Sequence, residues 1–156
     1  MPSLTVREYN SDSGALLGNI SVLSFGRVTA GTHSRVKVID IAFTDVSEVG
    51  NIKLGLLSSG GLIVNASPLN VETDGSASNG HFGIEDTSTF DSTKASAPLS
   101  RHFSGVNTDA TAGNAKNVSI SNRSETISNY IYLDIEIGSS SISAGNGSYK
   151  VFFDYS

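Results

Sequence analysis

Cysteine is absent from all 156 residues. That excludes disulfide stapling, Cys-ligated zinc and thiol catalysis together, while leaving the redox compartment open. Tryptophan is missing too, so any aromatic contact surface has to be built from Tyr and Phe. Charged residues make up 16% and hydrophobic residues 38%, both below the usual globular share. The opening "MPSLTVREYNSDSG" has no basic stretch followed by an apolar one, so no signal peptide is expected and the chain reads as made in a cytoplasm. No run approaches the roughly 18 apolar residues of a membrane span. A Gly-x-Ser-x-Gly elbow and a Gly-Lys-Ser/Thr phosphate loop are both lacking, and with them two common sequence signs of an enzyme.

Ser, Thr, Asn and Gly take up the difference, with Gly alone at 16. All four rank low in helix propensity and favour strands, turns and loops. The 7 Phe and 5 Tyr, with abundant Val and Ile, still furnish a sheet core. Net charge is −5 and the pI about 5.0, and the basic residues are scattered. Nucleic acid and anionic membrane are therefore not expected partners. Five Asn-x-Ser triplets, among them Asn19-Ile20-Ser21 and Asn65-Ala66-Ser67, follow from composition in so Asn- and Ser-rich a chain.

Alternation of period two recurs along the chain. "LTVREY", "NISVLSF", "SRVKVIDIAF", "NIKLGLL", "LIVNA", "SNYIYLDIEIG" and "SYKVFFDY" all read as strands. "SGALLGNI" and "DVSEV" read as short helical turns. The last two strands are expected to form a C-terminal hairpin. The expectation is an all-β, antiparallel sandwich of about eight strands in one domain spanning 1–156; a barrel of similar strand number reads the same way. Within it, residues 67–116 are largely Ser, Thr, Asn, Asp, Gly and Ala with isolated apolar residues. They read as an extended loop or arm, docking Phe82, Ile84, Phe90, Leu99 and Phe103 on this domain or a neighbour.

One strand poses a packing question. In "VLSFGRVTAGTHSRVKVIDIAF", Val36 and Val38 share one side, whereas Ile39, Ile41 and Phe43 share the other. A β-bulge at Val38-Ile39 restores a single core face and is the preferred account. The alternative is a strand covered on both faces, by the arm or by a neighbouring copy.

Chemistry is sparse. His33, His81 and His102 share no metal-ligand spacing. Asn107, Asp109 and Thr111 precede Gly113 in a local likeness to a calcium loop, but the glycine comes one place late and Val118 stands where the bidentate Glu belongs. No cofactor, metal or catalytic residue is assigned. Asp134 and Glu136 lie two apart on one strand face, about 7 Å from each other, a spacing within reach of glycosidase chemistry. The preferred reading places them, with Tyr130 and Tyr132, on an open polar-aromatic strip that meets solvent, a protein partner or a glycan; the runner-up function on this strip is a carbohydrate-binding or adhesive module using Tyr130 and Tyr132.

The segment "FGRVTAGTHSRVKVIDIAF", followed by "VSEVGNIKLGLLSSGG" and closed by "SNYIYLDIEIG…GSYKVFFDY", resembles the strand-turn-strand pattern of immunoglobulin-like modules in structural proteins of tailed-bacteriophage particles. The likeness covers about half the chain. It implies a non-enzymatic virion component, made in the host cytoplasm: a capsid decoration or minor capsid protein, or else a tail or baseplate piece. Such a protein assembles with copies of itself and with other virion proteins through edge strands and the arm. Phe82, Phe90, Phe103, Tyr130 and Tyr132 are the expected interface residues.

Overall fold

The computed structural model describes residues 1–26, 32–59, 80–95, 99, 116–137 and 146–156. Eight strands run through them: β1 (Ser3–Tyr9), β2 (Leu16–Ile20), β3 (Lys37–Thr44), β4 (Val49–Ser59), β5 (Gly80–Thr87), β6 (Lys116–Asn117), β7 (Tyr130–Ile137) and β8 (Asn146–Tyr155), with one 3-10 turn at Ser92–Ala95. They form a five-stranded sheet, ordered β2-β1-β3-β7-β5, and a three-stranded sheet, ordered β6-β4-β8. Every pairing is antiparallel. The expected antiparallel β-sandwich of about eight strands is therefore the architecture, two such sheets stacked on one core. Among the described residues no helix is long and apolar enough to cross a membrane.

The main core lies between the sheets. Ile39, Ile41 and Phe43 of β3, Ile131, Leu133 and Ile135 of β7 and Ile84 of β5 meet Val49, Ile52 and Leu54 of β4, with Val118 beside them. Val151 and Phe153 complete it from β8, and the Phe153 ring lies 4.7 Å from that of Phe43. In β3 these are the positions that alternation places on one side, and in β7 and β8 they likewise recur at every second residue. Branched and aromatic side chains at every second residue supply one continuous apolar face to each sheet.

The two-sided strand resolves against the bulge. β1 and β3 pair in unbroken register from Ser3↔Thr44 to Tyr9↔Val38, with no extra residue at Val38-Ile39. Val36 and Val38 are instead buried in a second cluster on the outer face of the larger sheet, with Tyr9, Tyr132 and Leu99. Phe90 and Tyr130 pack against it. Leu99 is 2% exposed and Tyr132 fully buried, so β3 is covered on both faces, and part of the covering comes from the expected arm.

That arm needs correction as well. Its Gly80–Thr87 stretch is β5, paired with β7 from Gly80↔Ile137 to Thr87↔Tyr130. Since Ile84 is fully buried, this part belongs to the sandwich, and deleting residues 67–116 would remove a core strand. Strands β7 and β8 form no hairpin, because β7 lies in the larger sheet and β8 pairs with β4 in the smaller. "SGALLGNI" is no helical turn either; it contains β2. Two features there disguise the strand period. Register shifts so that Glu8 faces Gly18 and Tyr9 faces Leu16, leaving Leu17 as the extra residue of a bulge, and Gly18 carries φ 137°, a value that side-chain-bearing residues rarely adopt. "LIVNA" lies outside the described residues.

Candidate interaction surface

Among the described residues, strand β2 is an edge of the larger sheet. A tight turn positions it. The Asn10 side-chain oxygen accepts the N–H groups of Asp12 (2.9 Å) and Ser13 (3.0 Å), while the Asn10 N–H donates to the Ala15 carbonyl at 2.7 Å. An Asn side chain bonding its own downstream backbone stabilises such a turn. Gly14 lies against the Phe90 ring so closely that an added Cβ would meet a ring carbon at 2.7 Å.

Beyond the turn the apolar residues face outward. Leu16 and Leu17 are 56% and 61% exposed, and Val22, just past the strand, is 77% exposed. Leu4 on β1 is also exposed. Ile20, Leu23 and Phe25 turn the other way and pack on the main core. Single exposed leucines are ordinary, but adjacent ones on an edge strand mark a contact surface.

Beside this edge, the outer face carries a charged hub. Asp40 follows Val36 and Val38 in the same alternating set and is fully buried. Arg7, directly opposite it on β1, grips the carboxylate with two hydrogen bonds, Nε to Oδ1 at 2.8 Å and Nη2 to Oδ2 at 2.6 Å. The Tyr9 hydroxyl donates to Oδ2 at 2.8 Å, and Arg123 Nη1 does so at 3.1 Å. Arg123 also donates to Ser121 Oγ (2.8 Å) and the Ser128 carbonyl (2.9 Å), with its guanidinium 4.1 Å from the Tyr130 ring centre. The hydrogen bond to Asp40 raises the Arg7 pKa against the cost of burial. Burial raises that of Tyr9, with Asp40 adding to the shift. Two cations and a hydroxyl thus hold one buried carboxylate, the condition under which such a charge is tolerated.

The expected site residues separate. Tyr132 is fully buried. Its hydroxyl shares a hydrogen bond with Thr87 Oγ1 and accepts one from the Asp91 N–H, both at 2.8 Å. Asp134 is fully buried as well, with the Leu99 N–H 3.4 Å from its Oδ2 and Gly83 packed so tightly that a Cβ there would fall 2.0 Å from Oδ1. The open strip expected at Tyr130, Tyr132 and Asp134 is therefore a covered face. Polar residues on an alternating strand suggest an open face, but Phe90 and Leu99, distant in sequence, lie over this one. Tyr130 is half-buried, edge-on to Tyr9 at 5.0 Å and to Phe90 at 6.0 Å, so Phe90 is an intramolecular anchor. Phe82 pairs with Ile135 through its backbone. Phe103, His102 and the Asn107–Asn114 loop lie outside the described residues. Among the described residues no group of three His, Cys, Asp or Glu side chains could hold a metal ion. Sequence reasoning missed Leu16 and Leu17, hidden by the bulge, and the Arg7–Asp40–Arg123 hub. A charged residue standing in the Val36, Val38, Asp40 alternation was the available signal.

Fold and surface together define a class: an all-β antiparallel sandwich, apolar on one edge and layered on its outer face. No family model, no curated protein and no solved structure matches the chain.

Proposed function

We propose that this protein is a non-enzymatic structural component of a virion, a capsid decoration or minor capsid protein. In this reading it is made in the host cytoplasm and joins copies of itself and other virion proteins. The virion role rests on the resemblance of its strand-turn-strand segments to tailed-phage particle proteins; a tail or baseplate position fits the same features. Assembly rests on one observation above all, the adjacent exposed Leu16 and Leu17 on an edge strand.

The contact is made by side chains more than by backbone. The bulge at Leu17 interrupts the regular ladder, which works against open-ended strand addition. Burying Leu16, Leu17 and Val22 against a second copy is worth about 1.5–3 kcal/mol for each side chain fully buried, before the cost of association. That magnitude suits a particle component that associates when concentrated on a surface. Native mass spectrometry and electron microscopy of the purified protein test the reading. Rings, lattices or defined oligomers are expected; a monomer at every concentration would refute assembly through this edge.

A further inference from the structure

The hub on the outer face is not balanced in charge. Arg7 Nη2 and Arg123 Nη1 lie 2.6 and 3.1 Å from the same oxygen of Asp40, and among the described residues Asp40 is the only carboxylate in an ion pair with either. The pairs Lys37–Glu8 (3.6 Å) and Arg35–Asp12 (3.1 Å) set one cation against one carboxylate; the hub sets two against one. Asp40 carries a single negative charge, so it offsets only one of the two guanidinium charges paired with it. Neither guanidinium is sealed off, for the side chains of Arg7 and Arg123 retain 23% and 31% exposure. Each also keeps N–H groups beyond those used: a guanidinium has five donors, of which Arg7 commits two and Arg123 three to the partners described above.

We infer that the Arg7–Arg123 pair forms a binding site for one oxyanion, a carboxylate or a phosphate group, on the outer face of the five-stranded sheet. Oxyanions are the ligands that guanidinium donors match in geometry as well as charge. The surplus positive charge stands at a partly desolvated position, where an added anion interacts more strongly than at an open surface. The site is already held in place without the anion. Ser121 and Ser128 fix the Arg123 fork, the Tyr130 ring backs it, and Asp40 fixes that of Arg7. Asn19, paired with Arg7 across the β1–β2 register, adds a polar position on the same face. The two arginines stand on β1 and on the segment before β7, so the site does not rest on copies associating through β2.

The experiment titrates isotopically labelled protein with inorganic phosphate, and separately with acetate, at constant ionic strength and low protein concentration. Resonances of the Arg7, Arg123 and Arg35 side chains and of the Tyr130 ring are followed. Saturable shifts at Arg7, Arg123 and Tyr130, with Arg35 unaffected, are expected. Saturation by phosphate alone or by acetate alone supports the site and assigns the oxyanion. Arg123→Gln leaves Asp40 paired with Arg7 and is expected to weaken binding at least about tenfold, the worth of one charged hydrogen bond. Absence of saturation with both anions, or equal shifts at the exposed Arg35, would overturn the inference whether or not the variant folds.

Discussion

Replacing Asp40 with Asn removes the negative charge at almost constant volume. Asp40 is fully buried and accepts four hydrogen bonds, three of them from guanidinium groups. An Asn keeps one acceptor oxygen. Turned toward Arg7 Nη2, Tyr9 and Arg123, that oxygen retains three bonds as a neutral acceptor, but the new NH2 then faces the Arg7 Nε–H, donor against donor. Hydrogen bonds to charged groups contribute about 1.5–3 kcal/mol each, and breaking a buried pair costs about 3–5 kcal/mol. Arg7 and Arg123 are partly exposed, so water recovers some of this, and a loss of about 3 kcal/mol is expected. For a domain of this size that lowers the melting midpoint by about 6–12 °C. Urea unfolding followed by far-ultraviolet circular dichroism measures it, with the m-value unchanged if only stability shifts. A loss below about 1 kcal/mol would refute the hub as a fixed element, since it would mean that the arginines are as well served by water as by Asp40.

Other outcomes follow from the outer layer. Leu99→Ala should cost about 2–5 kcal/mol, because Leu99 is buried against Val36, Val38 and Tyr132; a change within 0.5 kcal/mol, about that of an ordinary surface substitution, would show that the segment does not cover β3 in solution. Gly83→Ala places a Cβ 2.0 Å from the Asp134 carboxylate and 2.9 Å from Leu99, and should cost about 1–3 kcal/mol by overpacking, read by thermal melting. Tyr132→Phe removes the hydroxyl that joins Thr87 and Asp91, at about 1 kcal/mol, detectable as faster amide exchange at Asp91. The Tyr9 pKa is raised in the fold, so the unfolded chain loses that proton first. Its contribution to stability is complete below about pH 10 and falls as pH rises toward the folded value. Tyr9→Phe should flatten that alkaline decline, as measured by urea midpoints across the range.

Legibility in the sequence differed by element. β7 could be read because Ile131, Leu133 and Ile135 alternate without interruption and all reach the main core. β2 could not, because a bulge at Leu17 and a positive φ at Gly18 break the period. The phase change in β3 was visible, but its cause was not. Tertiary cover from Phe90 and Leu99 gives Val36 and Val38 a second buried face, and no local pattern encodes which distant segment supplies it. The same cover explains the misreading of Tyr132 and Asp134. A polar residue on an alternating strand points to water only when nothing lies above it, and here the Tyr132 hydroxyl finds its partners inside the protein. Strand pairing was equally non-local, so adjacency in sequence suggested a β7–β8 hairpin where the chain crosses between sheets.

Contact between copies through the β2 edge, as proposed above, is decided by sedimentation velocity over a range of concentrations, on the wild-type protein and on a Leu16→Ser, Leu17→Ser double variant. Both side chains are more than half exposed, so the substitutions should leave the melting midpoint nearly unchanged. Concentration-dependent association of the wild type, and its loss in the variant, are expected. Equal association of the two proteins, or a wild type that stays monomeric throughout, would rule out contact through β2.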